Sequence, residues 1–329
     1  MRGFPGIVAA LMAAALLAPP AGAGEPTAVA VLNFANQVQG PAGQEWDWLE
    51  KGLADLVIND LSTQAGLLLV DRERMQETLT AEGIPIRPGM DLSRLTQVFV
   101  KRFKIARLVF GSFRADGDKV TLNASMVDAY SGKLLRRVQV AGEAADVLKL
   151  QKQLSSRIIG ALLGRGDVQE IAAALPVWTE SLPASKLLYT AVDYFDRGEF
   201  PEAWLHARRA WRADPGYADA LYWVGRLHYY MLQYAHARRY YERFVYEHAG
   251  HPRVGDAIIE YLDTFERTTD APREIVAAYE DMLSRAPRHA WLLNVFSRVG
   301  GKTSLADWLA YQLGHFYLQN TEYARAVRL

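Results

Sequence analysis

The spacing of apolar residues divides the chain into a half in which strands and helices alternate and a half that is helical throughout. In 27–34 and 67–70 the apolar run is short and continuous, as in buried strands. Between them, apolar residues recur every three or four positions in 46–61, as on one face of a helix. Apolar and polar residues alternate over 120–126, which predicts a strand with one face towards water. The predicted order is β-α-β-α-α-β-β-β-α, a mixed sheet covered by helices.

The stretch from Ala184 to Tyr217 shows the helical pattern of the second half most clearly. Two helical faces are separated by Gly198 and closed by Pro215, and both faces lie within 34 residues. The apolar and small residues of these faces are Leu187, Ala191, Tyr194, Phe200, Ala203, Ala207 and Ala210. A helix, a turn and a helix in this length have the period of the tetratricopeptide repeat.

The order of these residues resembles the tetratricopeptide (TPR) family position by position. A second repeat is predicted from Ala218 to about His251, and 253–289 retains only a weak trace of the pattern. Trp308 to Val327 recovers it, and the chain then stops inside what should be a second helix. We therefore predict a fold of α/β plus all-α class, in which a helical-repeat solenoid follows the sheet domain.

Composition excludes several classes of protein. Lysine plus arginine and aspartate plus glutamate each number 37, so the formal net charge is zero. A neutral chain has no electrostatic footprint for nucleic acid or anionic lipid, and neither is expected as a partner. The chain has no cysteine. Disulfides, thiolate chemistry, cysteine-based zinc sites and a lipid anchor on an N-terminal cysteine are therefore excluded.

Residues 1–23 are predicted to be a secretory signal peptide. Arg2 supplies the positive start, 7–18 is an apolar run too short to span a bilayer comfortably, and 21–23 (Ala-Gly-Ala) is a small-residue cleavage pattern. The alternative is a retained membrane anchor. No later stretch is apolar for long enough to be a transmembrane helix, so the mature chain is expected in the periplasm or associated with the outer membrane.

A second resemblance covers about 27–163. Its residues are VAVLNF, GLADLVINDLSTQAGLLLVDRERMQETL and ARLVFGSFRADGDKVTLNASMVDAYSGKLLRR, of which Phe110-Gly111-Ser112 and Asp128 to Gly132 are the most specific. They resemble the domain shared by the curli-secretion component family (CsgG type) and TolB-like N-terminal domains. The resemblance implies envelope location, protein assembly and, as in curli secretion, a homo-oligomer formed through this domain. A secretion channel is not expected, because no pair of strands is left over to form a membrane barrel.

These patterns give four segments. They are a signal peptide over 1–23, a CsgG/TolB-like α/β domain over 24–165, a linker over 166–183 and TPR-like repeats over 184–329.

Sequence motifs for chemistry are weak. The run from Gly300 to Ser304 resembles the end of a phosphate loop, but Phe296 stands where that motif needs glycine. His248 and His251 with Glu247 are too few ligands for a metal site. The α/β half has no histidine and no glycine-flanked nucleophile. We therefore expect no enzyme activity, no cofactor and no metal.

Aromatic and arginine side chains are dense in the repeats, where such residues anchor protein partners. In the TPR family the first helix of each repeat lines the concave side, and the resemblance therefore predicts a groove. Its residues are Tyr194, Tyr222, Arg226, Tyr229 and Tyr230. The leading hypothesis is a non-enzymatic envelope scaffold that binds proteins or peptides in this groove and helps to assemble or export a surface structure. The alternative is a periplasmic ligand-sensing module that signals through its repeats.

Overall fold

A computed structural model describes residues 26–84, 92–164, 166–269, 271–286, 291–293, 302–319 and 325. The predicted signal peptide lies outside this range. The first half contains β1 (Thr27–Val31), β2 (Ala35–Asn36), α1 (Trp48–Ser62), β3 (Leu67–Leu69), α2 (Arg72–Ala81), α3 (Leu92–Phe103), β4 (Arg107–Asp116), β5 (Lys119–Asp128), β6 (Leu134–Glu143) and α4 (Val147–Leu163). This is the predicted order with one short extra strand, β2.

The strands form one mixed sheet in the order β3-β1-β4-β5-β6, and β2 pairs with β4. β1 runs parallel to β3 and β4, whereas β4, β5 and β6 form an antiparallel meander. Along β5 the alternating residues from Val120 to Met126 are buried and partly exposed in turn, as the pattern predicts. Gly111 of β4 allows the ring of Phe34 to cross the sheet, because a Cβ there would lie 2.3 Å from Phe34 Cε1.

The second half is an array of helices that pack on their neighbours in sequence. After α5 (Val168–Ala174) it comprises α6 (Leu182–Asp196), α7 (Phe200–Ala213), α8 (Ala218–Tyr230), α9 (Tyr234–Glu247), α10 (Val254–Glu266), α11 (Pro272–Arg285) and α12 (Leu305–Gln319). Ala203, Ala207 and Ala210 are fully buried where α7 packs on its neighbours. An α/β domain followed by a helical region is therefore the observed fold class, as the sequence predicts.

The end of the array departs from the sequence pattern. Residues 253–289 show only a weak repeat signal, yet α10 and α11 form a regular pair there. A short hairpin of β7 (Trp291–Leu293) and β8 (Lys302–Ser304) precedes α12, where a glycine-rich turn is expected from the sequence. Gly300 and Gly301 of that motif lie outside the described residues, as does most of the predicted last helix beyond Gln319.

Candidate partner-binding face of the helical array

Four of the five predicted groove residues lie on one face of α8. Tyr222, Arg226, Tyr229 and Tyr230 are spaced by four, three and one residues, so helical periodicity brings them to one side. This face points towards α2 of the α/β domain at one end and towards solvent at the other. The structure thereby divides the predicted groove into a buried half and an open half.

Arg226 belongs to the buried half. Its Nη2 atom lies 2.5 Å from Oε2 of Glu73 on α2, and its Nη1 atom donates to the hydroxyl of Tyr222 at 3.1 Å. Only 11% of the Arg226 side chain is exposed, and Tyr222 is fully buried. The α/β domain of the same chain thus occupies the part of the groove that a partner peptide was expected to fill.

Arg72 and Arg253 each form an ion pair within their own half of the chain and another across the boundary. Arg72 of α2 lies 3.2 Å from Asp55 of α1 and 3.2 Å from Asp196 at the end of α6. Arg253, just before α10, lies 3.1 Å from Asp219 of α8 and 3.4 Å from Asp55. Two arginines therefore share the buried carboxylate of Asp55, one from each half of the chain. We call Asp55, Arg72, Glu73, Asp219, Arg226 and Arg253 the boundary cluster.

Burial governs the acidity of this cluster. Burial raises the pKa of Asp55 despite the two arginines beside it. Burial likewise raises the pKa of Glu73 to about 7 against the opposing charge of Arg226. Burial also disfavours the charge of Asp219, but His251, Arg253 and Asn59 outweigh it and lower that pKa to about 2. The cluster therefore holds carboxyl groups of very different acidity within one interface.

Helix α1 explains why the two halves meet here. It is buried almost all round, although a helix that covers only a sheet needs one apolar stripe. Its second stripe contains Gly52, Asp55 and Asn59, and this stripe contacts the helical array. A Cβ on Gly52 would lie 2.7 Å from the ring of Tyr189 on α6. Asn59 donates to both carboxylate oxygens of Asp219, at 3.3 and 3.1 Å.

Of the boundary cluster, only Arg226 is among the residues that the sequence predicts for a binding site. Asp71, directly before α2, caps that helix by accepting hydrogen bonds from the backbone N–H groups of Glu73 and Arg74 at 2.9 and 3.1 Å. That local role accounted for Asp71 alone. The available signal was that Asp55 and Asn59 lie one turn apart on α1, among the apolar residues Leu53, Leu56, Val57 and Ile58.

The open half of the face holds Tyr229 and Tyr230. The hydroxyl of Tyr229 donates to Asp263 and accepts from Arg267 at 3.1 Å, which fixes the ring against α10. Tyr230 is 38% exposed and packs edge-on against Phe195 of α6, with ring centroids 4.7 Å apart. More than a third of Tyr230 therefore remains open to solvent.

Tyr194, the fifth predicted residue, lies on α6 rather than on α8. Its ring stacks on His206 of α7 at 5.2 Å, and the guanidinium of Arg197 lies 4.4 Å from the ring centroid. The neighbouring residue Phe195 is the one that contacts Tyr230. Whether any of the five contacts a partner stays a prediction.

Leu232 was not predicted and is the most exposed large apolar residue near this face. It follows α8, has a φ of 61° and is 71% exposed. Gly198 holds the equivalent turn one repeat earlier, 34 residues before, with a φ of 78°. A side chain in this left-handed region costs about 1–2 kcal/mol relative to a right-handed residue, which is why glycine is usual there.

Of the motifs considered for chemistry, the histidine pair His248 and His251 lies within the described residues. His251 is buried, with its Nε2 atom 3.4 Å from Asp219. Within the described ranges, no group of three or more histidine, cysteine, aspartate or glutamate side chains is arranged to hold a metal ion. No helix among the described residues is both long and apolar enough to cross a membrane.

Comparison with known proteins gives only distant likenesses. No protein-family model matches the chain, and no curated protein matches it. Among solved structures, TolB from Acinetobacter baumannii is similar at 15% identity and a TM-score of 0.30, over 43% of this chain and 29% of that one.

Two smaller structures are similar over a comparable part of the chain. The LpoB C-terminal domain from Salmonella enterica has 12% identity and a TM-score of 0.27, over 37% of this chain and 87% of that one. Lipoprotein GNA1162 from Neisseria meningitidis has 17% identity and a TM-score of 0.29, over 42% and 97%. Likeness at this level carries no argument about function.

Proposed function

We propose that this protein is a non-enzymatic scaffold for protein–protein interaction in the cell envelope, which helps to assemble or export a surface structure. Envelope location is supported by the signal-like residues 1–23 and by the resemblance of 27–163 to CsgG/TolB-like domains. The partner binds at the open end of α8, through Tyr230 and Leu232. The same resemblance supports a homo-oligomer formed through the α/β domain.

The observation that carries the proposal is the conformation of Leu232. A leucine at a φ of 61° costs free energy that glycine avoids, and in the free chain this side chain is 71% exposed. Because the side chain is exposed, it gains little burial free energy to offset the cost of this backbone conformation. A partner that covered the side chain would gain about 2 kcal/mol from its burial. Binding therefore gives a reason for leucine at a position where the preceding repeat has glycine.

A scaffold also fits the chemistry of the buried groups. Three strongly perturbed carboxyl groups, those of Asp55, Glu73 and Asp219, lie in the boundary cluster, where their neighbours include arginines of the same chain. Contacts within the chain account for these groups, because they join its two halves. We therefore propose no reaction for this protein.

The proposal is tested by affinity capture with crosslinking from the envelope fraction of the host. The full chain is compared with Leu232→Gly and Tyr230→Ala, and Val177→Ala is the control because Val177 is also apolar and 62% exposed. We expect the wild type and the control to recover the same set of envelope proteins. The recovered amount of these proteins should fall at least five-fold with each of the two variants. Equal recovery with all four proteins would remove the binding site from this end of α8.

One observation favours the ligand-sensing alternative. A cleft of about 320 Å³ lies beside the edge strand β3, between α2 and the start of α10. Its lining includes Asp55, Asp71, Arg72 and Arg253, so a ligand there would contact both halves of the chain. This candidate predicts a rise in melting temperature with a polar metabolite. A metabolite screen without such a shift would leave the scaffold as the sole proposal.

A further inference from the structure

The strand β6 leaves one side of the sheet open. It follows β5 at the end of the strand order, and in the described part of the chain it pairs with β5 alone, through nine of its ten residues. Most of β6 is exposed. At about 3.3 Å per residue the strand is about 33 Å long, so it presents an extended row of backbone N–H and C=O groups.

Arginine side chains concentrate at the start of this edge. Arg136 and Arg137 are exposed on β6, and neither makes an ion pair or a side-chain hydrogen bond within the described residues. Arg157 reaches the same edge from α4 and donates to the backbone carbonyl of Gln139. Arg107 completes the group, although its charge is paired with Asp128 at 2.6 Å.

These arginines surround a cleft of about 820 Å³ between β6 and the end of α4. Its apolar lining comes from Met126, Leu135, Val138 and Leu162. No aspartate or glutamate is among the described residues that line it. The cleft therefore combines unpaired positive charge with apolar surface, in a protein whose net charge is zero.

We propose that β6 binds an acidic, extended segment of a partner protein, which adds to the sheet as a further strand. Backbone hydrogen bonds along the edge supply the main contact. Arg136 and Arg137 are consecutive in β6 and project from opposite faces of the sheet, so each pairs with carboxylates on its own side of the added strand. The same charges repel a second copy of β6, so the edge is protected against pairing with itself. The positive charge is confined to this edge of a protein with zero net charge, so it matches a short acidic segment rather than a long polyanion.

This surface is separate from the end of α8, and each is tested without the other. The probe is a fluorescent ten-residue peptide of alternating glutamate and valine, titrated against the full chain at low salt. We expect binding that weakens at least ten-fold in Arg136→Glu/Arg137→Glu. Arg209→Glu/Arg212→Glu is the control, because both of these arginines are exposed on α7 and the charge change is identical.

Two further probes distinguish strand addition from simple attraction. The same peptide with N-methyl groups on alternate residues keeps its charge but loses hydrogen bonds to one edge, and we expect it to bind at least ten-fold more weakly. Hydrogen exchange at residues 134–139 should slow when the unmodified peptide binds. The proposal is overturned if the methylated peptide binds equally well, if free citrate competes as effectively as the peptide, or if the wild type does not bind the peptide.

Discussion

Arg226 on α8 and Glu73 on α2 form a buried ion pair, 2.5 Å long, between the helical array and the α/β domain. The two residues are 153 positions apart in the sequence, from 226 and 73. Around them, Arg72 and Arg253 reach Asp55 from opposite sides of the boundary. The predicted binding groove is therefore closed at this end by the chain itself, and the end of α8 with Tyr229 and Tyr230 remains open.

Removing one member of this pair should cost much more than replacing both. We expect Arg226→Ala to lower the free energy of unfolding by about 3 kcal/mol, because it leaves a buried carboxyl group without its partner. The double variant Glu73→Leu/Arg226→Met should lose less than Arg226→Ala alone, since apolar pairs often replace buried ion pairs at little cost. Urea unfolding measures both values together with the single variants Glu73→Leu and Arg226→Met, with Arg212→Ala on the surface of α7 as the control. Costs that simply add would show that the two side chains do not interact.

The pKa of Glu73 makes stability depend on pH in a defined window. Burial raises this pKa from its ordinary 4.5 to about 7, so between these values the folded chain holds a proton that the unfolded chain has released. Stability should therefore fall as the pH rises from 4.5 to 7, by up to about 3 kcal/mol for this group. Glu73→Gln should flatten the wild-type profile in that window. A slope that persists unchanged in this variant would assign the effect to other groups.

Gly52 is required for the close approach of α1 and α6. Alanine at this position would place its Cβ 2.7 Å from the ring of Tyr189, which is buried. We expect Gly52→Ala to destabilise the chain by about 1–3 kcal/mol through overpacking, despite the better helix propensity of alanine. Gly250→Ala is the matched control because nothing lies within 4 Å of its added Cβ. Thermal unfolding of the two variants should separate them clearly.

Replacing Leu232 by glycine removes an unfavourable backbone conformation and should not lower the free energy of unfolding. Glycine tolerates a φ of 61°, although it adds freedom to the unfolded chain. We expect Leu232→Gly to leave stability unchanged or to raise it by up to about 1 kcal/mol. A loss above 1 kcal/mol in calorimetry would mean that the leucine supports the fold, and its conformation would then need no partner to explain it.

Local patterns predicted the elements well because local forces decide them. Alternation in β5 and the capping carboxylate of Asp71 are short-range signals, and both appear in the structure. The alanines of α7 likewise predicted a closely packed helix pair. The pair α10 and α11 formed without a clear repeat signature, because an apolar stripe such as Val254, Ile258 and Leu262 suffices to bury a helix.

The candidate site was harder to predict because it depends on how two distant halves pack. Tyr222 and Arg226 lie four residues apart on α8, but nothing local shows that Glu73 covers that side of the helix. Helical periodicity likewise does not show that Phe195, rather than its neighbour Tyr194, packs against Tyr230 of the next repeat. Leu232 occupies a left-handed turn position. The sequence shows this only when Leu232 is aligned with Gly198, 34 residues earlier in the preceding repeat.

The central claim is that the α/β domain and the helical array form one unit, held at the boundary cluster. Segment-resolved hydrogen exchange of the full chain in increasing urea tests it directly. We predict that the amides of β4 and β5 and those of α8 open with the same free energy and the same dependence on urea. If α8 exchanged at low urea while the sheet stayed protected, the boundary would be a loose contact and the groove would be free for a partner along its whole length.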